Sequence, residues 1–217
     1  MTFLPDGRLL VTEKRGALHV VTPSGEVSPA IAGVPAVTYN VHGGLGDVVL
    51  HPDFADNGLV YLTWAGAADG GTSGAALGRG RLDLKAMRLE NFEVLWRQTP
   101  KVAQERHYSY RMAFSPDGQH LFVSSGDRWT PQSAQDNTDN LGAVLRLTPD
   151  GKAAPGNPMY DIKDPAGVMR EVLACRQTRH RVSAGHVGTR QANPPRVLDP
   201  ERAIDRKHED VELRCRR

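Results

Sequence analysis

Three stretches of the chain share one pattern: an apolar residue, a Pro-Asp pair, a turn, and then a strand-like run. They are Phe3-Leu4-Pro5-Asp6-Gly7 before Leu9 to Thr12, Leu50-His51-Pro52-Asp53-Phe54 before Leu59 to Thr63, and Phe114-Ser115-Pro116-Asp117-Gly118 before Leu121 to Ser124. Proline fixes its own φ and removes a donor, Asp bonds to backbone of the turn that follows, and Gly accepts positive φ, so Pro-Asp-Gly reverses the chain. The β-branched and apolar residues that come next suit a half-buried strand. A turn-plus-strand unit recurring over tens of residues is the mark of an all-β array, a β-propeller or a relative of one.

Prolines 5, 52 and 116 are separated by 47 and 64 residues, about one four-stranded blade each, with a loop insertion in the second interval. The chain therefore encodes about three blades. At about 45 to 50 residues per blade, 217 residues are short for a six-bladed ring. An open arc leaves sheet faces bare, so self-association through the open propeller edge is an expectation.

Composition breaks late in the chain. From Ala174 to Arg217 there are eleven basic and six acidic residues, against sixteen and nineteen before it, and every aromatic residue lies at or before Tyr160. Only seven of the last 44 residues are Leu, Ile, Val or Phe, too few to bury a core. The division expected is thus a partial propeller over 1–172 and an irregular, Arg-rich tail over 173–217. Acidic residues alternate with these arginines and no stacking aromatic accompanies them, which argues against a nucleic-acid arm. Cys175 and Cys215 match no disulfide framework or zinc spacing. No signal peptide and no membrane span is legible, so expression of the chain as given would leave it cytoplasmic.

Three loops are candidates for chemistry. Val41-His42-Gly43-Gly44-Leu45-Gly46-Asp47 lets backbone approach a ligand closely, although a tight turn needs no more than that. Arg106-His107-Tyr108-Ser109-Tyr110-Arg111 sets an imidazole at a strand start, where it can serve as a general base or simply as a surface histidine. Ser125-Gly126-Asp127-Arg128-Trp129 precedes a polar run, Gln132 to Asn140, which reads as a long loop between strands. Asp136, Thr138 and Asn140 imitate the start of a calcium loop, but Leu141 and Leu147 stand where Gly and Glu are required, so no metal ligand is assigned.

Taken in order, Gly43-Gly-Leu-Gly-Asp-Val-Val-Leu-His-Pro-Asp-Phe, Leu77-Gly-Arg-Gly-Arg-Leu, His107 to Arg111 ahead of Ala113-Phe-Ser-Pro-Asp-Gly, Gly126-Asp-Arg, and Val144-Leu-Arg-Leu-Thr-Pro-Asp-Gly-Lys resemble the soluble PQQ-dependent sugar dehydrogenases, the glucose/sorbosone dehydrogenase family. The resemblance covers about residues 2 to 172. It implies a six-bladed propeller that binds pyrroloquinoline quinone and calcium, works in the periplasm or outside the cell, and oxidises an aldose at its anomeric carbon to the lactone with an external electron acceptor. By resemblance His107 is the catalytic base, and His42 stands at a substrate-binding position where Gln is usual. Tyr110 replaces a Gly, which is expected to crowd the base, and Ala143 replaces a common Lys.

After Val172 the likeness stops. The family's Gly-His-Arg-Asn motif, which supplies cofactor contacts, and its Glu-His-Gly-Pro stretch near calcium have no counterpart in 173–217, as a shifted reading frame would produce. The expectation is an incomplete chain with weak activity or none. Two other readings stay open: a non-catalytic propeller fragment that binds a ligand or partner, and a calcium-dependent propeller lactonase.

Overall fold

The computed structural model describes residues 1–136 and 138–157 and the strand Val172–Cys175. Three antiparallel sheets account for nearly all of its regular structure. Strands β1 (Thr2–Phe3), β2 (Leu9–Glu13) and β3 (Ala17–Val21) form the first, in the order β1-β2-β3. The second takes β4 (Leu45–Leu50), β5 (Leu59–Ala67), β6 (Ser73–Asp83) and β7 (Arg88–Arg97) in chain order. The third takes β8 (Ser109–Phe114), β9 (Leu121–Ser125), β10 (Ala143–Leu147) and β11 (Val172–Cys175), again as a meander. The all-β class and the partial propeller expected from the repeat are what the structure contains, and the described residues close no ring. β11 runs across the boundary drawn at 172/173; the rest of the expected tail lies outside the described residues.

Each of the three repeated Pro-Asp turns joins the first strand of its sheet to the second, so the repeat marks one structural position used three times, while a fourth such turn, Pro149-Asp150-Gly151, follows β10. Gly7 (φ 86°) and Gly118 (φ 70°) take the left-handed conformation there, and their N–H groups donate to Leu4 O at 3.0 Å and Ser115 O at 2.9 Å. The second turn differs. Pro52-Asp53 leads into a single helical turn, α1 (Phe54–Asn57), closed by Gly58 at φ 65° with its N–H on Phe54 O at 2.8 Å.

The middle sheet is covered on both faces, which explains why β5 reads as an apolar run interrupted by one hydroxyl, Thr63. Val60, Leu62 and Trp64 face the first sheet, packing with Leu10, Leu18 and Val20. Tyr61 and Ala65 face the third, packing with Leu121, Val123, Leu145 and Leu147. The third sheet alternates as a half-covered strand pair should: Leu145 is buried and Val144 is exposed. A polar latch supports the same interface, because Tyr61 Oη and Arg79 Nη1 both donate to Pro149 O, at 2.9 and 3.1 Å, and Arg79 pairs with Asp150 at 2.8 Å. The run from Gln132 to Asn140 lies between β9 and β10, as expected. No helix of the described residues is long and apolar enough to cross a membrane.

Candidate active site

Strand pairing brings two of the three candidate loops together at one end of the third sheet. β8 and β9 pair with Ser109 opposite Ser125, so the residues just outside the pair, His107 and Asp127, lie side by side. His107 Nδ1 is 2.8 Å from Asp127 Oδ1. With that Nδ1–H donated to the carboxylate, the neutral ring keeps its lone pair on Nε2, the atom a general base needs.

The Gly-rich loop completes the group. His42 Nδ1 accepts the backbone N–H of His107 at 3.2 Å, and the two imidazoles stack with centroids 5.9 Å apart and planes 14° apart. Accepting at Nδ1 places the proton of neutral His42 on Nε2, so this imidazole offers a donor, as an amide would. His42 N–H in turn donates to Glu105 O at 3.0 Å. The glycines after His42 are there for close approach: a Cβ on Gly43 would lie 2.7 Å from Thr38 O, and one on Gly46 would lie 2.9 Å from the Tyr110 ring.

The strand end is bent to hold this group. His107, Ser109, Tyr110, Arg128 and Trp129 all have φ between 50° and 80°, where non-glycine residues are uncommon. Tyr110 takes this conformation at the position where the resemblance expects Gly, and its ring turns inward. It stacks on Tyr108 at 5.3 Å, is buried, and reaches His42 O through its hydroxyl at 3.4 Å. The space used is the gap left by Gly46, while the ring partners of His107 are His42 and Trp129.

Burial pushes the hydroxyls of Tyr110 and Tyr61 above the usual phenol range. Because the folded state holds these protons more tightly, the resulting stability is complete below about pH 10 and is lost as pH rises past it. Phenolate absorbance from these two residues is therefore expected only with alkaline unfolding. Their ionisation in still-folded protein near pH 10 would contradict this.

Two residues beside the pair were named in the sequence without a role. Arg128 is wholly buried, and Trp129, the next residue, is 51% exposed. The guanidinium lies 3.6 Å from the Tyr108 ring centroid and donates to Arg106 O at 3.0 Å, Ser73 O at 2.8 Å, Gln98 Oε1 at 3.2 Å and Gln104 O. Desolvation lowers its pKa from the ordinary arginine value. The backbone N–H of Trp129 donates to Asp127 Oδ1 at 3.0 Å, so one carboxylate oxygen holds both the imidazole and the backbone that carries the indole.

Asp47 is structural. Its buried carboxylate accepts Met112 N–H at 3.0 Å and meets Arg111 Nη1 at 3.3 Å, tying the second sheet to the third.

Pyrroloquinoline quinone is a planar tricarboxylate and calls for several cations facing one plane. Of the guanidiniums near this site, Arg106 lies over Trp129, Arg111 pairs with Asp47, and Arg128 is buried. Calcium takes six to eight oxygens, whereas no three His, Cys, Asp or Glu side chains gather as a metal site among the described residues. The described residues by themselves do not fit the cofactor or the metal.

A family model described as Glucose / Sorbosone dehydrogenase matches residues 1–173. Aldose sugar dehydrogenase YliI of Escherichia coli is 33% identical over 181 residues, covering 77% of this chain and 48% of that protein. A crystal structure of a glucose dehydrogenase superimposes with a TM-score of 0.73 at 39% identity, covering 79% of this chain and 49% of the other. The PQQ-bound aldose sugar dehydrogenase of Streptomyces coelicolor gives 0.64 at 31% identity, over 71% of this chain and 45% of that one. The chain spans about half the length of the curated relatives it matches.

Proposed function

The chain belongs to the glucose/sorbosone dehydrogenase family, and from that membership we propose that it carries the proton-accepting side of aldose oxidation at the anomeric carbon. The observation that supports this reading is the His107–Asp127 pair at 2.8 Å. Asp127 holds the imidazole in the tautomer with Nε2 unprotonated. A hemiacetal hydroxyl delivers its proton to Nε2, and Asp127 balances the positive charge that develops. His42 contributes an N–H toward the sugar oxygens. The hydride half of the oxidation would fall to a quinone cofactor, with calcium as its metal partner and an electron acceptor after it, and the family motifs that would hold that cofactor have no counterpart in this chain.

The same reading divides the chain at 172. Residues 1–172 are the propeller part, and 173–217 are a segment unrelated to the family, produced by a shifted frame. The chain by itself then turns over weakly or not at all, its working compartment is the periplasm or the exterior, and its open sheet faces favour self-association.

Reconstitution with pyrroloquinoline quinone and calcium, followed by dye reduction with an aldose, tests the proposal. Little turnover is expected from the chain itself, and turnover from a version whose frame is restored after codon 172. His107→Gln in that restored version should lower kcat about 100-fold. A restored protein that oxidises aldoses equally fast with and without His107 would refute the base assignment.

A further inference from the structure

We propose that Trp129 is a sugar-binding platform, a subsite that takes the C–H face of a pyranose ring while its anomeric hydroxyl meets His107; the choice of ligand rests on the aldose reading above. Trp64 and Trp96 are buried at 3% and 5% exposure, whereas Trp129 has 51% of its surface in solvent. A large indole left open at a loop tip leaves an aromatic face available to a ligand.

The position is built at a cost as well. Arg128 and Trp129 are consecutive non-glycine residues at φ 53° and 61°, a conformation that persists only where neighbours enforce it. Its effect is to drive Arg128 inward as an anchor and Trp129 outward as a wall. Asp127 Oδ1 locks the result by accepting both the backbone N–H of Trp129 and His107 Nδ1–H.

Geometry selects the ligand class. The indole and the His107 imidazole have centroids 4.7 Å apart and planes inclined at 54°. At that spacing the two rings touch, so a ring laid on the indole has its edge beside the imidazole. An aromatic face is also electronegative and favours positively polarised groups, as the Arg106 guanidinium 5.1 Å from the indole centroid already shows. The C–H bonds on one face of an aldopyranose are such groups, and their spacing from the anomeric hydroxyl lets one sugar reach both residues.

The test uses methyl β-glucopyranoside, which cannot be oxidised at its blocked anomeric carbon, and follows the three indole N–H resonances of the full chain. Trp129 should shift saturably while Trp64 and Trp96 stay still. Affinity, read in the variants from the ring resonances of His42 and His107, should fall about fivefold in Trp129→Ala and stay within about twofold in Trp129→Phe, which keeps a π face. The half-exposed position makes both variants compatible with folding. Absence of a saturable Trp129 shift, or equal affinity in Trp129→Ala, overturns the platform. If His107→Gln leaves aldose oxidation by the frame-restored protein intact while the Trp129 shift persists, the base assignment fails and the platform stands.

Discussion

Gly126→Ala should disable the His107 loop more completely than any substitution of a side chain that performs chemistry. Gly126 adopts no unusual φ, so the requirement is purely steric. A Cβ there would enter the carbonyl group of His107, 2.5 Å from its carbon and 2.9 Å from the carbonyl carbon of Tyr108. Those atoms are backbone and cannot rotate aside as a flexible side chain would. Relief requires separating β8 from β9, which breaks Gly126 N–H to Tyr108 O (3.0 Å), Arg128 N–H to His107 O (3.3 Å) and the His107–Asp127 pair together. The expected destabilisation is about 4 kcal/mol or more, above the usual range for overpacking because nothing soft adjoins the site. Urea unfolding monitored by tryptophan fluorescence measures it. A stable Gly126→Ala protein with the His107 resonances unchanged would show that the two strands do not approach this closely.

Much of this arrangement can be traced back to the sequence. Val60, Leu62 and Trp64 alternate with Tyr61 and Ala65, and the alternation survives as two faces of one sheet, each with its own core. The three repeated Pro-Asp turns mark the first-to-second strand link in all three sheets. They also carry a signal that the loop motifs alone do not. His107 and Asp127 are each ten residues from Asp117, so a hairpin turning at Asp117 brings them face to face. What stayed hidden depends on partners remote in the chain. An arginine in a polar loop ordinarily reads as solvated, and the burial of Arg128 follows from carbonyls at 73, 104 and 106 that no local pattern groups together. Tyr110 next to the base was expected to crowd it. The inward turn of its ring depends on the gap at Gly46, 64 residues earlier.

Arg128→Ala should cost roughly 3–5 kcal/mol, and the loss should concentrate in the loop before β8. The guanidinium is fully buried with no carboxylate partner among the described residues, where carbonyl dipoles and the face of Tyr108 offset its charge. Desolvation works against it, as the lowered pKa records. What it returns is geometric: a planar fork spans backbone from Ser73 at the start of β6 to Gln104 and Arg106 ahead of β8, fastening the segment that carries His107. Truncation leaves a cavity against Tyr108 and removes four hydrogen bonds from a charged donor, to Ser73 O, Gln98 Oε1, Gln104 O and Arg106 O, of a kind worth about 1.5–3 kcal/mol each. Arg128→Lys keeps the charge but offers no fork, so it should recover only part of the loss. Arg128→Met fills the space with no donors and separates packing from hydrogen bonding. Native-state hydrogen exchange reads the outcome locally: the amides of 104–108 should lose protection in Ala and Met before β5 does. Loss spread evenly over the second and third sheets would instead mean that Arg128 supports the whole interface and not the His107 loop in particular.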